Sequence, residues 1–394
     1  MTAPGMAEAG QHSFVWLGTG RSLLDAMLNA IDAARTSVRL EMYMVKESPL
    51  SDRYREKLTE AARRGVAVQL IIDAVGSYSL ARDYFAGVAA AGGAVHWFNE
   101  LRMSSFSFRD HRKLLVVDET DAFVGGCNIA PEYYGDGVTE GWRDGGAAVR
   151  GPVVMILAAE FNRQWHRATR QRWDSRTIGV DRQSSQEADP VKALFIKPGF
   201  GRNPLKVALR RDLVGARDVA ITSAYFLPTR RLRHELAQVV ARGHRVRLLL
   251  AGKNDVPLIQ LAARSLYRRL LNKSIEIWEY QPQILHAKVI IIDDIVYVGS
   301  ANLDPRSLRI NFEITLRIQD AALATVARAQ FEADLTEHST PVTRALLEHH
   351  RGWWERLRQR FAYWLFARLD AELATAKLHV WRRRKDRLRE RLRS

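Results

Sequence analysis

One cysteine, Cys127, stands among 394 residues, so the chain can build no internal disulfide framework and no paired-thiol redox centre. That usage points to a reducing compartment. No apolar run approaches the length of a membrane span, and the opening MTAPGMAEAGQH has neither a basic leader nor an apolar stretch. No secretory signal is expected, and any membrane contact should be peripheral. Acidic residues are the scarcer charge, 44 Asp and Glu against 60 Lys and Arg, for a net charge of +16. Residues 351–394 hold 14 Lys/Arg and 5 Asp/Glu, so most of the excess lies in a tail. The body is therefore not a uniformly basic nucleic-acid binder.

What the chain does contain is a duplicated motif. HRKLLVVD runs from His111 to Asp118 and HAKVIIID from His286 to Asp293, followed by Gly125-Gly-Cys-Asn128 and Gly299-Ser-Ala-Asn302. Two such matches, each with its Asn in place, are far rarer by chance than one. Two half-sites imply one composite site.

A second layer of repetition surrounds the first. SVRLEMYMV (Ser37 to Val45) with Leu58 to Ser77 resembles DVAITSAYFL (Asp218 to Leu227) with Leu236 to Asp255. Each half reads as strand, helix, Arg-Gly turn, strand. Gly65 and Gly243 fall where a left-handed helix cap is expected, and the apolar runs after them fit buried parallel strands. With 47% apolar residues for a core, this alternation predicts an α/β fold of two tandem α/β/α domains related by a pseudo-two-fold axis. The expected division is residues 1–166, a linker at 167–190, a second domain at 191–340 and a basic tail at 341–394.

Side chains alternate along a strand, so His111 and Lys113 should share one face, as should His286 and Lys288. Asp118 and Asp293 complete the catalytic motif but fall off that face at the strand end, where they should anchor the turn. Paired lysines and amides suit the non-bridging oxygens of a phosphodiester. One neutral imidazole can attack phosphorus while the other, protonated, serves the leaving alcohol. A lysine beside each histidine opposes a bound cation, so no metal or other cofactor is expected, although a His-rich site could recruit zinc.

These motifs resemble the paired motifs of the phospholipase D superfamily over roughly Val38 to Ile318. RDHRKLLVVD, NIAPEYYGDG, IEIWEYQPQILHAK and SANLDPRSLRINFEI are similar to bacterial cardiolipin synthases of the type without an N-terminal membrane hairpin. The resemblance implies a site between two α/β domains and transfer of a phosphatidyl group between phosphatidylglycerol molecules, with release of glycerol. It makes His111 the nucleophile that forms a phosphatidyl-histidine, and His286 the general acid and base. Lys113, Lys288, Asn128 and Asn302 then bind phosphate oxygens, Ser300 stands beside Asn302, and Asp144 and Glu313 hold the imidazoles. Two departures stand out: the stretch from Asp293 to Gly299 is one residue shorter than that from Asp118 to Gly125, and Gly126 replaces the Ser/Thr seen as Ser300.

In the tail, Trp354, Leu357, Phe361 and Leu365 recur at helical spacing among arginines, as in a helix lying in an anionic lipid interface. The same stripe could instead pack on the body. The expected partners are phosphatidylglycerol and a membrane surface, at the cytoplasmic side of a bacterial inner membrane, with no obligate protein partner and no nucleic acid. A hydrolase using water, acting on lipid or nucleic acid, is the alternative enzyme. A catalytically silent scaffold is the alternative of another class.

Overall fold

The computed structural model describes residues 6–9, 11–99, 108–170, 190–199, 202–349 and 353–365. In the first half the strands are β1 (Met6–Ala9), β2 (His12–Leu17), β3 (Ser37–Met42), β4 (Ala67–Asp73), β5 (Ala94–Phe98), β6 (Lys113–Val117), β7 (Asp121–Gly125) and β8 (Gly146–Arg150). Its helices are α1 (Gly20–Ala33), α2 (Pro49–Arg63), α3 (Ala86–Ala90) and α4 (Val153–Arg170). The second half repeats the pattern with β9 (Val191–Ile196), β10 (Asp218–Ser223), β11 (Arg245–Ala251), β12 (Glu276–Tyr280), β13 (Lys288–Ile292), β14 (Ile295–Gly299) and β15 (Glu313–Gln319). Helices α5 (Pro204–Leu213), α6 (Arg230–Ala241), α7 (Pro257–Leu271) and α8 (Ala321–His338) accompany them. A short β16 (Ser339–Pro341), α9 (Arg344–His349) and α10 (Trp353–Trp364) follow.

The sheets run β1-β2-β8-β7-β6-β3-β4-β5 and β16-β12-β11-β10-β13-β14-β15-β9. Setting aside the edge strands β1 and β16, the two orders are the same, which establishes the repeat. Strands β3, β4 and β5 pair in parallel, as do β10, β11 and β12, where Val/Ile/Leu runs are expected to be buried. The motif strands β6 and β13 are antiparallel to β3 and β10, so each sheet is mixed. Gly65 and Gly243 both take φ of +84°, the left-handed cap that ends α2 and α6. Thr19, Ser48, Asn203, Thr229 and Asp320 cap α1, α2, α5, α6 and α8 through their side-chain oxygens.

Each half has an outer core, with Leu40 and Leu70 in one and Leu236 and Leu248 in the other. Between the sheets lies a third core that draws on both halves, including Val116 and Phe161 from the first and Ile291, Ile314 and Phe331 from the second. Helices α4 and α8 fill that layer, α4 reaching β9 and α8 reaching β1 and β2. The halves are thus joined through a buried apolar interface.

Residues 167–170 of the expected linker are the last turn of α4, and 171–189 lie outside the described residues. Past residue 340 the chain begins as part of the body: β16 pairs with β12, and α10 packs on α7 through Ala362 and Tyr363. The tail beyond Leu365 lies outside the described residues. Among them, no helix is long and apolar enough to cross a membrane.

The spacing departure between the motifs resides in one turn. β6 and β7 are joined by three residues, Asp118 to Thr120, and β13 and β14 by two, Asp293 and Asp294, while all four strands have five residues. Both aspartates sit at positive φ, 52° and 49°. The Asp118 carboxylate accepts from the backbone N–H groups of Arg35, Thr36 and Ser37, and Asp293 accepts from those of Arg217 and Asp218. They tie the hairpin to the lead-in of β3 and β10, as the sequence predicts, at the end of the strand remote from the histidines. Removing the Asp118 acceptor should cost about 2 kcal/mol. The expected outcome for Asp118→Ala is an unfolding free energy lowered by that amount, seen as a lower denaturant midpoint with an unchanged slope in urea unfolding.

Candidate active site

His111 and His286 both precede their strands, which start at Lys113 and Lys288. They are therefore held by cross-half pairing rather than by the ladder of their own sheet. Asp110 bridges Phe312 and Leu285 bridges Arg143, two parallel contacts related by the pseudo-symmetry. The His111 N–H donates to the Phe312 carbonyl at 3.0 Å and the His286 N–H to the Arg143 carbonyl at 2.8 Å. Each bridge sets a histidine beside the residue that follows its partner. His111 Nδ1 meets Glu313 Oε2 at 2.9 Å, and His286 Nδ1 meets Asp144 Oδ2 at 2.5 Å. His111 and His286 are thus each oriented through Nδ1 by a carboxylate of the opposite half, and His286 Nε2 also lies 3.4 Å from the Tyr133 hydroxyl.

That cavity has a volume of about 520 Å³ and is lined by both histidines, Asn128 and Asn302, with Tyr43, Arg109, Tyr133, Tyr225, Asp255 and Arg306 among its walls. The two half-sites are brought to one site. Lys113 and Lys288 are buried beneath it, with Lys113 Nζ donating to the His111 carbonyl at 2.7 Å and Lys288 Nζ standing 2.7 and 3.1 Å from the two ring nitrogens of His286. Asn128 Oδ1 accepts from the Met44 N–H at 3.2 Å. Asn302 Oδ1 is buried with no partner among the described residues. Asp118 and Asp293 do not line the cavity.

The electrostatics follow from burying several cations together. Burial, then the charges of Lys113 and Lys288, hold the His111 imidazole well below its ordinary value. Burial pushes Lys113 down to about 7 and Glu313 up to about 7. Burial would also raise Asp144, but Lys288 and His286 outweigh it and keep this carboxyl ionised below its usual range. Burial, then Lys288, lowers His286, while Asp144 acts to raise it. The two imidazoles are therefore inequivalent, one beside a carboxyl near neutrality and the other beside a carboxylate.

The Gly126 departure has a steric cause. A Cβ on Gly126 would lie 2.3 Å from an Asp144 carboxylate oxygen. Its counterpart Ser300 instead donates from Oγ to Glu313 Oε2 at 2.6 Å and accepts from the Ile314 N–H at 3.0 Å. One half removes a side chain to admit its carboxylate, and the other adds a hydroxyl to hold it.

Sequence reasoning missed several neighbours. Tyr43 packs its ring edge against His111 with centroids 4.7 Å apart, and Tyr133 lies 5.0 Å from His286. Tyr43 and Tyr225 fall just past the first strand of each repeat, one register position apart, and this was the available signal. Arg112, between His111 and Lys113, points the opposite way by strand alternation and is fully buried against Glu160 at 2.9 Å and Glu41 at 3.5 Å. Asn311 donates to Glu313 Oε1 at 3.2 Å.

Two repeated α/β halves that share one paired His-Lys site make up a phospholipase D-like fold. The family model described as "Cardiolipin synthase, PLD-like domain" matches residues 27–165 and 211–335, and the chain belongs to that family. Cardiolipin synthase A of Pseudomonas aeruginosa is 34% identical over 82% of this chain and 66% of its own length. Cardiolipin synthase B of Salmonella typhimurium is 30% identical over 88% of this chain and 86% of its own length. The chain thus spans slightly under two thirds of the Pseudomonas relative. Among solved structures, phosphatidylserine synthase of Haemophilus influenzae superimposes with a TM-score of 0.72 over 95% of this chain and 96% of that one, at 16% identity. That likeness concerns the fold.

Gly126→Ala should force Asp144 away from His286. Because Asp144 raises the imidazole pKa, the expected outcome is a His286 ring that titrates lower than in the unaltered chain, with the fold retained. Ring proton shifts followed by NMR across the pH range check this, and an unchanged titration would show that Asp144 does not hold the ring.

Proposed function

We propose that this chain is a phosphatidyltransferase that makes cardiolipin from two molecules of phosphatidylglycerol. The observation that carries the reading is the pairing of His111 and His286 around one cavity, each oriented through Nδ1 by a carboxylate of the opposite half. Family membership and the relatives named above support the lipid substrate.

In this reading His111, kept neutral by burial and nearby cations, attacks the phosphorus of the first lipid through Nε2. The P–O bond to the headgroup glycerol breaks, and His286 supplies the proton that the glycerol takes away. A phosphatidyl-histidine remains. The terminal hydroxyl of the second lipid then attacks, His286 recovers the proton, the P–N bond breaks, and His111 is regenerated. Lys113, Lys288, Asn128 and the unpaired Asn302 surround the non-bridging oxygens. An arriving phosphate also draws Lys288 off the His286 ring and keeps both lysines charged. With ammonium groups in these places the reaction needs no metal.

The membrane supplies the substrate, and we place the chain peripherally on the cytoplasmic side of a bacterial inner membrane. Support comes from α10, which docks on α7 by one face and turns Leu357, Phe361 and Trp364 outward, each about half exposed. The next residue, Leu365, lines the cavity. The apolar face therefore adjoins the mouth of the site, and the basic tail adds attraction to anionic lipid.

Purified protein incubated with labelled phosphatidylglycerol and a chelator should give cardiolipin with an equimolar amount of glycerol, resolved by thin-layer chromatography. Phosphatidic acid alone would make the chain a hydrolase. His111→Ala should lower turnover by at least about a thousandfold. Phe361→Glu with Trp364→Glu removes apolar area worth on the order of 1 kcal/mol or more per side chain. Cosedimentation with phosphatidylglycerol vesicles should fall at least tenfold, and unchanged binding would refute the role of α10.

A further inference from the structure

We infer that Arg109 binds the phosphate of the second, acceptor lipid, an inference that rests on the transfer reaction proposed above. Cardiolipin carries two phosphodiesters joined through one glycerol. When the second lipid's terminal hydroxyl reaches the phosphorus on His111, its own phosphate must lie in the same cavity, one glycerol away. The His-Lys pairs are occupied by the first phosphate, and a second buried anion requires a cation of its own.

Two guanidinium groups line the cavity outside those pairs, Arg109 and Arg306. The charge of Arg306 already acts on the neighbouring carboxyl of Asp304. Arg109 is differently placed. Its Nη1 donates to the neutral Tyr43 phenol at 3.1 Å, and its Nε is buried without a partner. Among the described residues no carboxylate forms an ion pair with it. A cation facing a cavity with only a phenol to answer it is an anion site.

The position fits as well. Tyr43 touches both groups: its hydroxyl accepts from Arg109, and its ring meets the His111 imidazole in a T-shaped contact with centroids 4.7 Å apart. A phosphate on Arg109 is therefore held about one aromatic ring from the phosphorus under attack, with the bridging glycerol laid along the phenol. The transfer step stays balanced: the hydroxyl oxygen bonds to phosphorus, the P–N bond to His111 breaks, and the hydroxyl proton goes to His286.

Two acceptors competing for the same phosphatidyl-enzyme test this. Phosphatidylglycerol carries a phosphate, and free glycerol does not. Glycerol exchange, read as labelled glycerol entering phosphatidylglycerol, reports every step except recognition of the acceptor phosphate. In mixed micelles containing both, Arg109→Gln should lower the ratio of cardiolipin formation to glycerol exchange at least tenfold, and Arg109→Lys should restore part of it. A purely structural role, through Tyr43 and His111, would lower both rates together and leave the ratio unchanged; that result overturns the proposal. If the unaltered chain exchanges glycerol but makes no cardiolipin, the reading of the function itself fails and the acceptor site falls with it.

Discussion

Two short backbone bridges, Asp110 to Phe312 and Leu285 to Arg143, govern the arrangement of the site. Each joins the residue before a motif histidine to the residue before a carboxylate in the other half. Because backbone spacing is rigid, the bridge fixes where the next side chains meet: His111 with Glu313, and His286 with Asp144. The buried core between the sheets, filled by α4 and α8, supplies the apolar burial that keeps the bridges in register. A sliding of one half by a single residue would point the wrong side chain at each imidazole.

The site also concentrates buried charge. Two lysines and two imidazoles are buried together with two carboxyl groups, one of them close to neutrality. Behind β6, Arg112 lies against Glu160 and Glu41, a fully buried network whose disruption would leave uncompensated charge under the motif. Even there Arg112 Nε and Glu41 Oε2 are buried without a partner among the described residues, and burial raises the Glu41 carboxyl well above its usual range. In the proposed reaction a phosphodiester anion is the complement of the cations facing the cavity.

Much of this was legible in the chain itself. The glycine caps at Gly65 and Gly243 and the turns anchored by Asp118 and Asp293 are local signals, and their repetition reveals the double fold. The shared site could be inferred from the doubled His-x-Lys. The pairings with Asp144 and Glu313 could not be read from spacing, since they lie 142 and 202 residues from their histidines, and only the resemblance pointed to them. The exchange of Ser300 for Gly126 looked like a defect in the motif, and only the position of the Asp144 carboxylate explains it. Arg109 could be read as a flank of the first motif that shapes the cleft, whereas Tyr43 and Tyr225 reach the cavity from outside the motifs. The tail stripe was visible, but not that α10 would dock through Ala362 and Tyr363 and leave Leu357, Phe361 and Trp364 outward.

The crossed pairing of rings and carboxylates has a consequence for chain continuity. A chain severed between its repeats would give two fragments, each with a ring lacking its orienting carboxylate and a carboxylate with no ring to orient. A symmetric pair of identical fragments would carry two identical rings in identical surroundings. In this chain the two copies differ, Gly126 admitting Asp144 beside one ring and Ser300 holding Glu313 beside the other, so a single continuous chain gives each imidazole surroundings of its own.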